Sequence, residues 1–239
     1  MDYFKAEDIF KNINIELNEN EYNNFEKYKK ILLEWNKKIN LTAITKDEEV
    51  WIKHFFDSCT IYNIIKNYNI ENTKLIDIGT GAGFPSIPLK IIDNKINITM
   101  IDSLQKRINF LNEIIKNLKL KEIQAIHGRS EDLSHNNDLR EKFDFATARA
   151  VANLSTLLEY CMPFIKVGGY FICMKGNNIN EEIDNCKNAL KILGGDFAKI
   201  INLNLPIIKD ERNIIVIKKI KSTPKMYSRK AGIPSKNPL

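Results

Sequence analysis

Residues 75–88 read LIDIGTGAGFPSIP, with Asp77 among apolar residues and then Gly79, Gly81 and Gly83 at alternate positions. Glycines between a strand and a helix let the backbone come close to a ligand. A dinucleotide-binding loop has the spacing G-x-G-x-x-G and cradles a pyrophosphate at a helix N-terminus. Here the spacing is G-x-G-x-G and Phe84-Pro85 follow, so the third dinucleotide glycine is missing. Asp102 closes a second apolar run 23 residues after Gly79. An acid about 20 residues past such a loop is placed to accept hydrogen bonds from a ribose diol. The competing reading of Asp102 is a cap for a helix beginning near Leu104. Loop, Asp77 and Asp102 together point to a nucleoside ligand without a pyrophosphate, a description that S-adenosylmethionine fits.

The remaining chemistry narrows the acceptor. Methylation of an exocyclic amine typically uses an Asn/Asp-Pro-Pro-aromatic stretch after the fourth strand, and FDFATARAVANL has none. Methylation of a pyrimidine carbon needs a cysteine nucleophile. Cys161 is separated from Pro163 by Met162 and falls in an expected helix. A ring nitrogen with an exposed lone pair, such as guanine N7, needs neither base nor covalent step, because alignment with the methyl donor suffices. Arg149 stands among Ala146, Thr147, Ala148 and Ala150, small neighbours that leave room for a ligand. Its guanidinium can pair with a carboxylate, either of a ligand or of a structural salt bridge. His54, Asp57 and Ser58 could form a hydrogen-bonded cluster near a substrate base, though the sequence alone favours a helix junction with Asp57 as N-cap.

These residues need a scaffold, and the periodicity supplies one. In EYNNFEKYKKILLEWNKKIN, residues Phe25, Tyr28, Ile31, Leu32 and Trp35 fall on one face of a helix. DEEVWIKHFFDSCTIYNII predicts two shorter helices, with Asp47 as cap of the first. No glycine precedes Gly79. From Lys74 apolar runs alternate with helical stretches: KLIDIG, INITMID, EIQAIHG, FDFATARA and GGYFICMKG. That alternation predicts an α/β fold built on a parallel sheet covered on both faces. DFAKIINLNLP and RNIIVIKKI add an antiparallel pair at one edge. The expected organisation is a helical cap over 1–70, a sheet domain over 71–221 and a basic tail over 222–239.

With 239 residues, 44% hydrophobic and 28% charged, the chain reads as one folded α/β domain with an extension. No apolar run approaches the roughly 18 residues of a membrane helix, and the acidic N-terminus is no signal peptide. The expected address is the cytoplasm. Four cysteines without a CxxC pair and three histidines give no metal motif, so no metal is expected. The net charge of +6 is carried at the end: from Lys218 on there are seven basic residues and no acid. Such an end suggests a polyanion partner or a solvated tail.

Several separated stretches resemble one family, the bacterial 16S ribosomal RNA guanine-N7 methyltransferases, also called glucose-inhibited division protein B. They are WNKKINLTAIT at 35–45, HFFDS at 54–58, LIDIGTGAGFPSIPLKI at 75–91, IDSLQKR at 101–107, GRSED at 128–132, ATARAVANL at 146–154, KG at 175–176 and RKAGIPSKNPL at 229–239. The resemblance implies a Rossmann-like class I methyltransferase sheet of seven strands, S-adenosylmethionine as cofactor, and a guanine of small-subunit rRNA, free or in a ribosomal particle, as substrate. It implies cofactor contacts from Gly79, Gly81, Phe84, Ser130 and Glu131 beside Asp77 and Asp102, with Arg149 near the methionine end. Family members often carry Ala-Glu where this chain has Ser130-Glu131. No residue stands out as a catalytic base; Arg149, His54 and Asp57 are candidates for positioning. Lys175, Arg229 and Lys230 are candidate RNA contacts. A monomer is expected. A small-molecule methyltransferase on the same fold, a dinucleotide-dependent oxidoreductase and a non-catalytic RNA-binding protein are the rival readings.

Overall fold

The computed structural model describes residues 1–149, 152–177 and 179–239. Two positions of the ATARAVANL stretch, Ala150 and Val151, therefore lie outside the described residues. Seven strands form one sheet: β1 (Lys74–Ile78), β2 (Asn97–Asp102), β3 (Ile123–His127), β4 (Phe143–Arg149), β5 (Ile165–Lys175), β6 (Gly195–Asn204) and β7 (Glu211–Lys219). Their spatial order is β3-β2-β1-β4-β5-β7-β6. β1 to β5 run parallel, and β7 is antiparallel to both β5 and β6. This is the expected α/β sheet with its antiparallel edge. Strand order reverses between β1 and β4, so the crevice at their carboxyl ends is the switch point where such sheets bind ligands.

The two faces are covered by different parts of the chain. On one, the N-terminal helices share a continuous core with the sheet, from Phe10, Phe25, Tyr28 and Trp51 to Leu75, Ile98, Met100 and Val216. On the other, helices Leu154–Cys161 and Lys187–Leu193 bury Leu157, Leu158 and Leu193 against Ile76, Phe171 and Ile217. The long helix Glu19–Ile39 begins at a capping box, in which Asn18 and Glu21 satisfy each other's backbone N–H. It ends at Asn40, whose left-handed φ of 48° turns the chain out.

Asp47 does not cap the next helix. Lys46 holds the N-cap position, and the Asp47 side chain pairs instead with the N-terminal amine and Lys29. Nor is Asp57 an N-cap: helix Asp47–Val50 continues through a π-helical segment, Trp51–Phe56, into Asp57–Cys59. A π segment widens the helix by one residue per turn. Here His54 and Phe55 reach Phe84 of the glycine loop, at ring distances of 4.4 and 6.3 Å, and Phe55 stacks on Tyr28 at 5.4 Å.

Gly83 shows how tightly the loop is gripped. Its φ is +90°, and an added Cβ would sit 2.6 Å from Ile87 Cγ1 and 3.1 Å from Tyr28 Oη. Gly83→Ala is expected to cost about 3 kcal/mol of stability, through overpacking together with left-handed strain. Urea denaturation checks this; a loss below about 1 kcal/mol would mean that the long helix does not constrain the loop.

Candidate functional site

Asp77 organises the glycine loop from inside. It is fully buried on β1, and its Oδ2 accepts from Thr80 Oγ1 at 2.7 Å and Ser86 Oγ at 2.8 Å. Burial pushes its carboxyl up to about 7, against those two hydroxyl bonds. It lines neither of the cavities described below. Through Oδ2, Asp77 braces the loop against its own hydroxyls, while Oδ1 is buried without a hydrogen-bond partner. From outside, Tyr28 donates its hydroxyl to the Ala82 carbonyl. The N–H groups of Gly79 and Thr80 both bond the Ile101 carbonyl, at 2.9 and 3.1 Å.

Asp102 ends β2 with 2% exposure. Its Oδ1 accepts from Leu104 N at 2.9 Å. Its Oδ2 accepts from Gly81 N at 3.0 Å and from Arg107 Nη1 at 3.2 Å. The cap-like bond to Leu104 and a place in the site are therefore both present. Two cavities meet at this carboxylate. The larger, about 400 Å³, is lined by Thr42, His54, Gly79, Gly81, Phe84, Asp102, Arg107 and Arg149 among others. The smaller, about 200 Å³, shares Gly79, Asp102 and Ser103 and reaches Ser130, Glu131 and Tyr160. Above Gly81, with φ +61°, an added Cβ would find nothing nearer than 3.9 Å, so the loop leaves open space where a side chain would stand.

Arg149, at the end of β4, is the centre of the larger cavity's wall. Its Nη1 donates to the Lys53 carbonyl at 3.0 Å and to Asp57 Oδ2 at 3.3 Å. Asp57 Oδ2 also accepts from Arg212 Nε of β7 at 3.3 Å. Arg149 Nη2 lies 3.3 Å from His54 Nδ1. The guanidinium sits 4.8 Å over the Phe84 ring, and the His54 ring stacks on Phe84 at 4.4 Å. Burial, with the neighbouring Arg149 charge second, lowers His54 to about 3. Burial raises the Asp57 carboxyl, while the two guanidiniums pull it down. Ser58 does not join the cluster; its hydroxyl donates back to the His54 carbonyl.

The candidate RNA contacts fare differently. Lys175 Nζ is held by the Ala152 carbonyl at 2.6 Å and by Glu182 at 2.7 Å, with a tenth of its side chain exposed. Arg229 is clamped on the buried Glu159: Nη2 to Oε2 at 2.6 Å and Nε to Oε1 at 3.0 Å. Both are internal ion pairs and not free cations, because each charge lies in a partly dry setting beside an acid. Lys230 is exposed. The tail is no frayed end. Gly232 N donates to Glu131 Oε1 at 3.0 Å, His135 bonds the Ser228 carbonyl at 2.8 Å, and Arg140 donates to the carbonyls of Thr223 and Tyr227. Glu131, whose other oxygen faces Ser130 Oγ at 3.2 Å, thus joins the smaller cavity to the tail.

Among the described residues no three His, Cys, Asp or Glu side chains gather to hold a metal, and no helix is long and apolar enough to cross a membrane. Sequence reasoning did not single out Thr42, Arg107, Arg212 or Tyr160. Thr42 and Arg107 stand inside stretches quoted above, but only the fold shows that they face one cavity.

A family model described as rRNA small subunit methyltransferase G matches residues 21–218. The chain belongs to the rRNA small subunit methyltransferase G family. It is 53% identical over 225 residues to the ribosomal RNA small subunit methyltransferase G of Acetivibrio thermocellus, covering 94% of this chain and 91% of that protein. The Alkaliphilus oremlandii relative of the same description is 51% identical over 227 residues, covering 95% and 94%. Among solved structures, a SAM dependent methyltransferase from Aquifex aeolicus superposes with a TM-score of 0.54 at 15% identity, over 76% of this chain and 97% of that one. The cyclase SpnF superposes with a TM-score of 0.53 at 12% identity, over 70% and 82%. These distant likenesses show a shared fold. A cyclase beside a methyltransferase means that the sheet alone does not set the reaction, and the family's residues must.

The larger cavity contains a histidine held neutral. Its Nδ1 faces a donor-only guanidinium, so the ring proton belongs on Nε2. Because folding lowers the pKa to about 3 from 6.5, the stability linked to this ring is present above pH 6.5 and is lost as pH falls below it. Nitrogen-15 NMR of the His54 ring is expected to show the Nε2-protonated form with constant shifts from pH 8 down to pH 5. A titration centred near pH 6.5 would contradict the assignment.

Proposed function

We propose that the chain transfers a methyl group from S-adenosylmethionine to N7 of a guanine in 16S rRNA of the small ribosomal subunit, acting in the cytoplasm. The observation that carries this reading is the larger cavity's wall. Around Phe84 its polar side chains, Thr42, His54 and Arg149, are tied together and offer alignment, and the carboxylate that lines it, Asp102, already accepts from three donors. His54 is neutral with both nitrogens engaged, Asp57 answers two guanidiniums, and burial drives the Cys161 thiol far up. Guanine N7 attacks with its own lone pair and loses no proton, so alignment alone serves it.

The residues present fit the cofactor. S-adenosylmethionine supplies a methyl group on a sulfonium, an electrophile that needs no further activation. Asp102, at the junction of the two cavities, accepts hydroxyls of the ribose with the capacity its three existing donors leave. Ser130 and Glu131 bound the smaller cavity and hold the adenine. The bare backbone of Gly79 and Gly81 admits the chain beyond the ribose, with Phe84 and Arg149 alongside. The long helix and π segment of residues 1–70 act as a cap over this site, residues 71–221 as the transferase domain, and residues 222–239 as a docked tail. Lys230, with the likewise exposed Lys225 and Lys236 of the tail, is left to meet RNA phosphate, and Arg229 and Lys175 serve the fold.

Mapping N7-methylguanosine in 16S rRNA from cells with and without the gene tests the reaction, and an unchanged methylation pattern would refute it. For the cofactor, Asp102→Ala is expected to weaken S-adenosylmethionine binding by about 1–3 kcal/mol, the worth of a hydrogen bond to a charged group. Isothermal titration reads this, and unchanged affinity would remove Asp102 from the site.

A further inference from the structure

Thr42 is fixed more completely than a loop residue at a cavity mouth requires. It follows the left-handed turn at Asn40, in the connection between the long helix and helix Asp47–Val50. The Asn36 side chain clamps its backbone on both sides: Oδ1 accepts from Thr42 N at 2.8 Å, and Nδ2 donates to the Thr42 carbonyl at 2.9 Å. Its hydroxyl oxygen accepts from Ile44 N at 3.0 Å and lies 2.8 Å from His54 Nε2. The residue is half-buried and lines the larger cavity beside Phe84 and Arg149.

The direction of each hydrogen bond in this chain is forced. A guanidinium only donates, so Arg149 Nη2 donates to His54 Nδ1. Neutral imidazole carries one ring proton, which must then be on Nε2 and be donated to Thr42 Oγ1. Ile44 N–H also donates to Thr42 Oγ1. A hydroxyl has two acceptor positions and one proton. Both acceptor positions are filled, so the Thr42 hydrogen has no partner on this side and is left for the cavity. Arg149, itself anchored by Asp57, thereby sets a donor at the far end of a four-member relay.

We infer that the Thr42 hydroxyl is the donor that reads O6 of the target guanine and so selects guanine over adenine, an inference that rests on the guanine-N7 reading above. The edge of guanine carrying N7 presents two acceptors, N7 and O6; adenine presents N7 and the N6 amino donor. N7 must stay free to take the methyl group, so O6 is the group left for recognition on that edge. A fixed donor there favours guanine. Adenine sets its amino donor against a hydroxyl that has no acceptor capacity left.

The test uses full-length protein, labelled S-adenosylmethionine and small-subunit RNA ligated to carry guanine or 2-aminopurine, which lacks O6, at the mapped position. For the wild-type protein, loss of O6 is expected to lower kcat/KM about tenfold, the worth of one hydrogen bond. Thr42→Val is expected to show a similar loss on guanine and no further loss on 2-aminopurine. Thr42→Ser, which keeps the oxygen, is expected to restore the guanine preference. A purely structural Thr42 would instead give the same O6 penalty in Thr42→Val as in wild type, and that result overturns the inference while the guanine-N7 reading stands. Wild-type protein indifferent to O6 overturns it as well, whether or not the valine variant folds. Absence of any N7-methylguanosine from the wild-type reaction overturns the underlying reading.

Discussion

A guanidinium at the end of β4, with 15% of its side chain exposed, must find partners, and much of the site follows from how it does so. Arg149 takes the Asp57 carboxylate, the Lys53 carbonyl and the His54 ring from the N-terminal helices. Asp57 in turn takes Arg212 from the antiparallel edge. One cation therefore ties the helical cap, the parallel sheet and the edge hairpin at a single point beside the cavity. Deleting one partner of such a buried pair leaves the other uncompensated, at a cost of roughly 3–5 kcal/mol. The same requirement sets chemistry: the His54 ring, with both nitrogens engaged and its pKa lowered to about 3, is a poor base, and Asp57 Oδ2 is shared by two guanidiniums.

The glycine loop is under a comparable constraint from two sides. Asp77 draws in the hydroxyls of Thr80 and Ser86 from below, while Tyr28 of the long helix takes the Ala82 carbonyl from above. Gly83 has no Cβ because the Tyr28 hydroxyl and Ile87 occupy that volume. Gly81 has none for the opposite reason, since its face is left open. Two glycines two residues apart thus serve packing and access separately. On the far side of Asp102, Glu131 joins the smaller cavity to the docked tail through the Gly232 N–H, so the end of the chain takes part in shaping the site.

The sheet, its antiparallel edge and the place of Asp102 at a strand end beside the glycine loop are legible from local patterns, because strand periodicity and glycine spacing are properties of neighbouring residues. What local patterns do not show is which partner answers a charge in the fold. Arg229 reads as part of a basic tail until Glu159, 70 residues earlier, is seen beneath it. Lys175 reads as a surface cation at a strand end until the Ala152 carbonyl and Glu182 fold onto it. Asp77 reads as a ligand-facing acid, yet the hydroxyls that occupy it are three and nine residues ahead in the same loop.

The sequence by itself determined the order of strands and helices, the glycine loop between the first strand and its helix, the acid after it and the family. Each is written in short-range spacing or in stretches that match as strings. Tertiary structure alone decided which charges are spent on the fold and which face the cavity, and it alone turned Thr42 from an ordinary loop residue into an oriented donor. The reason is physical. Hydrogen-bond capacity is a count of partners in space, and no local pattern shows that Asn36, Ile44, His54 and Arg149 converge to use up every other option that Thr42 has.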